Sequence, residues 1–583
     1  MTARFRIRLQ PVPNWRSYIP LLDVLATYRR RDFDHDLVAG LVLGVITVPQ
    51  AIAYAFLAGL PAQAGLYACL LPMIVYAVLG SSRELVVGPV AIAALMVAAT
   101  VGDFAPAHSN AYLGITTVLC LQVGIMLWLL RLTQMGGVVN LLSHPVVSGF
   151  VNAAAILIIV SQLPAFTGIG HDGTGDTFDE VLYLVRHLDE LEPVALALGL
   201  GSLVVLSVVR RWGYFAVLPL FRRVGRNHPV TRAGPLLVVI AATLSVLAFD
   251  LDGRFGLQTV GFVPPGLPVF TLPPFDLALW RDLVPSSAMI ALVAYIESFS
   301  IGTMLASRRG RRLNANQELI ALGAANIGAA FTGAYPVAGS FSRSSVNFAA
   351  GARTPISAFV CMAVIVATLL WLTPAFAAMP HAALAAIIIV SVADLIDFRP
   401  LREHWSFYRY DTITHLVTMT AVLTLGVEAG LLIGVLVAVA FFVRQSSRPH
   451  IAVVGRIGDS EHFRNVARHQ AATFPHVAAV RVDENLYFAN ANQVENELTQ
   501  LATRHEGIRH LLLVCSAVNF IDTSGLTMLT RVNDNLERLG IRFHLSEVKG
   551  PVMDQLKTTH FPARLTGSIF FTTDQAMRDL KER

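Results

Sequence analysis

What most constrains this chain is a long succession of apolar runs that begins near residue 37 and ends near residue 444. A helix needs about 20 mainly apolar residues to cross the hydrocarbon core of a bilayer. Runs at 37–58, 111–130, 146–166, 194–208, 235–249, 286–306, 356–372 and 428–443 meet or approach that length. Shorter runs at 65–79, 88–99, 318–331, 342–350, 383–393 and 413–425 lie between them. Standing alone, the short runs would read as buried core helices or re-entrant pieces. Among so many full-length spans they belong to the same membrane body. The expected fold is therefore a polytopic α-helical membrane protein of fourteen segments. Composition agrees only when it is divided. The chain of 583 residues is 54% hydrophobic and 14% charged, but residues 445–583 read as an ordinary soluble domain, which sets the expected boundary.

Charge placement orients the segments. Arg4, Arg6, Arg8, Arg16, Arg29, Arg30 and Arg31 sit in the polar lead-in 1–36, and further basic clusters fall at 210–232, 308–312 and 399–409. Loops rich in arginine and lysine stay cytoplasmic. Fourteen crossings put all these clusters and residues 445–583 on one side. The expected location is the inner (plasma) membrane, with both the N-terminal region and the C-terminal domain in the cytoplasm. The lead-in has no short apolar core before a small-residue cleavage site, so it does not read as a signal peptide. Basic residues that flank membrane spans do not point to nucleic acid. Cys69, Cys120, Cys361 and Cys515 sit singly, with neither metal nor redox spacing, and read as small buried hydrophobes. No cofactor is expected. An enzyme is not expected either, since neither a metal-ligand cluster nor a nucleophile triad is visible.

The membrane part divides at a proline-rich stretch, 255–282, that lacks a spanning run. The expected halves are about 37–254 and 283–444 within a domain of 37–444. The third segment of the first half opens Val87-Gly88-Pro89-Val90-Ala91, and its counterpart in the second opens Tyr335-Pro336-Val337-Ala338-Gly339-Ser340. Two independent proline kinks would produce the same residue types. Short segments interrupted by glycine and proline at matching positions instead point to the binding site of a carrier with inverted repeats. Seven segments per half would invert the halves.

Half-helices that start at mid-membrane leave backbone N–H groups unpaired and add the positive end of a helix dipole. Two facing starts make an anion site. Beside the second start, Ser342 and Arg343 offer a hydroxyl and a permanent charge. A cation at that depth is costly and suggests function, although Arg343 could also serve as partner to a carboxylate. Glu297 lies near the middle of the run 286–306. An intramembrane carboxyl marks an ion or proton path and can exchange a proton reversibly, or it can bond to a neighbouring helix. Gln50 and Tyr54 share one helix face and fit either a cavity wall or helix–helix bonding. Glu428, at the start of the last run, reads as interfacial and solvated.

Taken together, these motifs resemble the sulfate permease (SulP) family, anion carriers and exchangers that include pendrin and prestin. The resemblance is carried by Pro49-Gln50-Ala51-Ile52-Ala53-Tyr54-Ala55, Leu57-Ala58-Gly59-Leu60-Pro61 and Gly65-Leu66-Tyr67. It continues in Gly80-Ser81-Ser82-Arg83, Val87-Gly88-Pro89-Val90-Ala91 and Asn316-Gln317-Glu318-Leu319. It ends in Ala325-Asn326-Ile327-Gly328 and Gly339-Ser340-Phe341-Ser342-Arg343-Ser344. The resemblance implies a seven-plus-seven inverted repeat, with a core domain that moves elevator-like against a gate domain, and a homodimer. It implies a substrate site at Gln50, Tyr54, Val90, Ala91, Ser342 and Arg343, with Glu297 alongside. Sodium-coupled bicarbonate members carry an aspartate at the Glu297 position and a threonine one turn later. Here that turn holds Ile301, which has no oxygen to offer, so proton coupling through Glu297 is expected.

Residues 451–583 alternate strand and helix patterns: strands at 477–482, 486–488, 510–515 and 542–545, helices at 490–504, 526–539 and 550–558. Such alternation makes a small α/β domain. The Asp522-Thr523-Ser524-Gly525 turn is similar to that of STAS domains, in which the serine at this position is phosphorylated in anti-sigma-factor antagonists. Ser524 reads either as such a site or as a helix N-cap. The leading expectation is proton-coupled uptake of a small anion, sulfate first. A carrier of bicarbonate or dicarboxylates, an anion exchanger, and a membrane scaffold acting through the STAS domain are the alternatives. Expected partners are the anion, a proton, membrane lipid and a second copy of the chain.

Overall fold

The structure, a computed structural model, describes residues 18–133, 143–170, 177–212, 234–504 and 507–581. Arg4, Arg6, Arg8 and Arg16, and residues 213–233 of the basic stretch, lie outside the described residues. The chain forms two compact units, Met1–Val435 and Leu436–Arg583.

In the first unit the seven segments of one half are α1 (Arg30–Leu57), α2 (Ala62–Tyr67) with α3 (Leu71–Leu79), β1 (Val87–Gly88) leading into α4 (Ala91–Gly102), α5 (Asn110–Leu132), α6 (His144–Thr167), α7 (Pro193–Trp212) and α8 (Gly234–Phe249). The other half repeats the pattern: α9 (Val284–Ser307), α10 (Ala315–Phe331), β2 (Ala338–Gly339) leading into α11 (Phe341–Ala349), α12 (Ile356–Ala367), α13 (His381–Ala393), α14 (Arg409–Leu425) and α15 (Val427–Ser446). Helices α1–α5 pack with α9–α12, and α6–α8 pack with α13 and α14.

Two apolar runs break where the sequence suggested continuity. The run 65–79 divides into α2 and α3, with Pro72 in the first turn of the second helix, where a missing N–H costs nothing. The run 356–372 stays α-helical only to Ala367, then widens into a π turn at Thr368–Leu372 and tightens into a 3-10 turn at Thr373–Phe376, in whose first positions Pro374 has no N–H to donate.

Small residues let the core helices touch. A Cβ on Gly124 of α5 would lie 2.8 Å from the Gly323 carbonyl of α10, and a Cβ on Gly323 would lie 3.0 Å from the Gly124 carbonyl. The backbones therefore meet directly, the usual device for close packing in a membrane. The outer helices keep Val204, Leu244, Leu247, Leu432 and Val439 exposed, faces suited to hydrocarbon rather than water.

The second unit holds a six-stranded sheet in the order β4-β3-β5-β6-β7-β8. Its elements are β3 (Ile451–Arg456), β4 (Phe463–Asn465), β5 (Val477–Val482), α16 (Ala491–Arg504), β6 (His510–Val514), α17 (Thr523–Arg538), β7 (Arg542–Ser546), α18 (Gly550–Lys557), β8 (Ile569–Phe570) and α19 (Thr573–Lys581). Strands β5 to β8 run parallel, and β3 and β4 add an antiparallel edge. The strand expected at 486–488 is a single bridge, Leu486 to Ile521, whereas β3, β4, β8 and α19 carried no sequence expectation. Helix α17 is capped by Asp522, whose side chain accepts the Gly525 N–H at 2.7 Å. Ser524 is thus inside the first turn and is not the N-cap. All four cysteines are buried and unpaired. Burial, and secondarily the charge of Glu547, pushes the Cys515 thiol up to about 12, so it stays protonated and packs as a small apolar group.

Candidate functional site

The two interrupted segments meet. Val87 pairs with Gly339 and Gly88 with Ala338 in an antiparallel two-residue sheet, and the Ser340 N–H donates to the Val86 carbonyl at 3.0 Å. Extended backbone in the middle of a membrane needs every polar group answered. Ser344 of α11 accepts the Val86 N–H at 2.9 Å, and Ser298 of α9 accepts the Gly339 N–H at 2.7 Å. Asn326 of α10 clamps the chain just before β2. It accepts the Val337 N–H at 2.9 Å and donates to the Val337 and Leu322 carbonyls. From this crossing α4 starts behind Val90 and α11 behind Ser340, so two helix N-termini converge on one point.

A cavity of about 1060 Å³ opens there. Gln50 and Tyr54 of α1, Val90 and Ala91 at the start of α4, Glu297 of α9 and Ser342 of α11 all line it. Six of the seven membrane residues singled out in the sequence therefore share one wall system. Gln50 and Tyr54 are buried, while Ser342 presents its side chain openly. The Glu297 oxygen Oε2 is buried and accepts no protein hydrogen bond. The far wall comes from the other helix group: Leu206, Pro235, Ile387 and Ser391.

Arg343 is placed differently. It is fully buried and does not line the cavity. Its Nη2 donates to the Pro89 carbonyl at 2.6 Å, so the side chain reaches from the second half to the first. Nε and Nη1 are buried without a protein acceptor. The guanidinium lies against Gly88, where an added Cβ would sit 3.3 Å from Nη2; only glycine lets it approach so closely. Among the described residues no ion pair joins Arg343 to Glu297. The charge thus sits under the crossing and adds to the two helix dipoles there.

Several motifs are scaffolding. Glu318 of α10 is buried and accepts Tyr76 Oη at 2.7 Å, the Ser81 N–H at 2.9 Å and Ser81 Oγ at 2.6 Å. Gln317 donates to the Leu79 carbonyl at 2.6 Å. Glu84, also buried, faces Arg309 at 3.4 Å and Arg311 at 3.5 Å. These bonds fix the loop ahead of β1. Glu428 is half-buried and not simply solvated: it accepts Thr100 Oγ1 at 3.0 Å, joining α15 to the end of α4.

Ser391, Asp394 and Arg308 also line the cavity and escaped the sequence reading. Ser391 is the one hydroxyl in an apolar run, a faint signal. Asp394 and Arg308 follow the ends of α13 and α9 and looked like ordinary loop charges. Arg308 directly precedes Arg309, which pairs with Glu84.

Residues 33–418 match the sulfate permease family, and residues 468–576 match the STAS domain. The chain is 34% identical over 555 residues to sulfate transporter 4.1, chloroplastic, of Arabidopsis thaliana, covering 93% of this chain and 79% of the relative. It is 31% identical over 559 residues to a probable sulfate transporter of Mycobacterium tuberculosis strain H37Rv, covering 95% and 97%. Its fold is similar to the murine Slc26a9 anion transporter in the inward-facing state, with a TM-score of 0.90 at 22% identity over 99% of this chain and 97% of that one. The transmembrane domain of the cyanobacterial bicarbonate transporter BicA gives 0.58 at 22% identity, over 71% of this chain and 98% of that domain.

Proposed function

Because this chain belongs to the sulfate permease family of anion transporters, we propose that it moves sulfate together with a proton, by an elevator-like shift of one helix group against the other. The observation that carries this is the crossing of β1 and β2, which aims two helix N-termini into one cavity beside a buried guanidinium. A doubly charged oxyanion needs several N–H donors and a positive field in a place where water is scarce. The starts of α4 and α11 offer the donors, and Ser342 adds a hydroxyl. Arg343 holds a full charge below them without having to touch the cargo. Tyr54 and Gln50 complete the polar lining. The named sulfate transporters among the relatives support sulfate over other small anions.

Glu297 is the proposed proton carrier. It opens on the same cavity, and one of its oxygens has no protein donor. An uncharged Glu297 leaves the positive field of Arg343 and the dipoles whole for a dianion; a charged one cancels part of it. Ile301, one turn on, supplies no ligand for sodium. The elevator reading is supported by the division of the helices into two packed groups that meet across the cavity. The homodimer and the cytoplasmic, inner-membrane orientation are carried as parts of the same proposal, tested by cross-linking in membranes and by protease access. In the STAS domain, Ser524 is half-buried in the first turn of α17, where a helix N-terminus favours a phosphate; intact-mass measurement of the protein from its native cells tests that modification.

Uptake of labelled sulfate, bicarbonate or succinate into proteoliposomes decides the cargo. Sulfate is expected to accumulate, faster with an inward proton gradient. In Glu297→Gln the response to the gradient should vanish while sulfate still binds. A gradient response equal to that of the native protein would remove Glu297 from the coupling.

A further inference from the structure

The second unit carries a basic cleft that anion transport does not use. Its volume is about 360 Å³, and His450, Arg464, Asn465, Arg468, His469, Arg481 and Asp483 line it. Asp483 is the only acid among these, and it is already engaged. It accepts from Arg481 Nη2 at 3.0 Å and lies 2.9 Å from His450 Nδ1. Among the described residues Arg464 donates only to the carbonyl of its neighbour Phe463. The side chains of Arg468 and His469 make neither a hydrogen bond nor an ion pair among the described residues, and both are exposed. Two arginines thus remain uncompensated in one concave place.

The fold builds this place deliberately. Arg481, next to the end of β5, lies on the same sheet face as Val477 and Ala479 and pairs with Ala452 of β3. The Asp483 N–H continues that pairing to the His450 carbonyl. After β4 the chain turns at Asn465, whose carbonyl accepts the N–H groups of both Arg468 and His469. The turn folds those two side chains back toward the start of β3.

Location identifies the ligand. His450 lies four residues beyond Ser446, the last residue of membrane helix α15, so the chain allows at most about 14 Å between them. The Ser446 carbonyl is itself held by Asn490 Nδ2 of this domain at 3.3 Å. The cleft is therefore tethered close to where α15 leaves the bilayer, and Arg444 and Arg448 flank the exit. Basic groups beside the end of a span attract anionic lipid. We propose that this cleft holds the phosphate headgroup of an anionic phospholipid and so fixes the STAS domain to the membrane surface.

The test uses the full chain, purified in a neutral detergent and titrated with phosphatidylglycerol, phosphatidylcholine or inorganic phosphate, with bound ligand counted by native mass spectrometry. The substitutions are at exposed positions, so Arg464→Gln/Arg468→Gln should melt like the native protein. It should bind phosphatidylglycerol more weakly by on the order of 30-fold, about 1 kcal/mol per arginine. Arg464→Lys/Arg468→Lys should recover most of that affinity, and phosphatidylcholine should show no difference between proteins. Equal phosphatidylglycerol affinity in the native and glutamine proteins overturns the proposal. Inorganic phosphate binding through these arginines as tightly as the lipid overturns it too, since the cleft would then serve a free ion.

Discussion

At the scale of single residues, Arg343 carries more than one task. It supplies the charge beneath the cavity, and through Pro89 it ties one half of the repeat to the other. Its replacements separate the two. Arg343→Lys keeps the charge and loses the planar fork, so sulfate uptake should fall by roughly 10-fold with binding still measurable. Arg343→Ala removes both and leaves the Pro89 carbonyl unanswered, a loss of about 1–3 kcal/mol; uptake should be abolished and the melting temperature lowered in purified protein. Equal uptake by the two variants would show that the charge itself is irrelevant. The sequence identified this arginine because a cation inside an apolar run is expensive. It did not reveal that the side chain crosses to Pro89, because that contact joins positions 254 residues apart. Gln50, Tyr54 and Glu297 were legible for the same reason as Arg343, being polar groups set in apolar runs. Asn326 and Glu318 were legible only as motif letters; their work as clamps depends on which loop lies opposite them.

Among the elements, α4 has contacts at both ends. It begins at the cavity, and near its other end Thr100 bonds to Glu428 of α15. That bond joins α4 to α15, which itself packs on α14 where Gly430 meets Val422 and Gly434 meets Thr418. In an elevator movement it has to break before α4 slides past α15. Thr100→Val should therefore raise the rate at which an impermeant thiol reagent, added from the side opposite the STAS domain, labels a cysteine placed at Ser342. An unchanged rate would mean that the bond does not restrain the movement. Most membrane elements were readable, since hydropathy reports span length directly. The break within 65–79 and the π turn after Ala367 were not, because apolar residues fit α, π and 3-10 backbones alike. In the soluble unit, β3 and β4 escaped notice: Gly455, Arg456 and Arg464 dilute an alternation that only pairing in the sheet makes plain.

For the whole molecule, each unit has a dependence of its own. In the STAS domain, burial works to raise the Asp483 carboxyl, but bonds from Arg481 and His450 outweigh it and hold the group below the usual carboxylate range. A depressed native value means stability that is present above about pH 4 and lost as pH falls through the native value. Hydrogen exchange on the full chain should show β3 and β5 losing protection on acidification below about pH 4, and Asp483→Asn should flatten that dependence. In the membrane unit, the β1–β2 pair carries a consequence for biosynthesis. Among the described residues Val86, Val87 and Gly88 find their backbone partners at Ala338, Gly339, Ser340 and Ser344, and unanswered backbone in lipid costs several kcal/mol per group. The ribosome delivers about 250 residues between the two strands. Throughout that interval the third segment is an unfinished object in the bilayer, dependent on the translocon or a membrane chaperone for shelter. A fragment of residues 1–254 should leave β1 and the start of α4 open to protease in membranes, and co-expressed 255–583 should restore protection. The cavity would then mature only after the second half has been delivered, and no half of the chain would carry even a weak version of it.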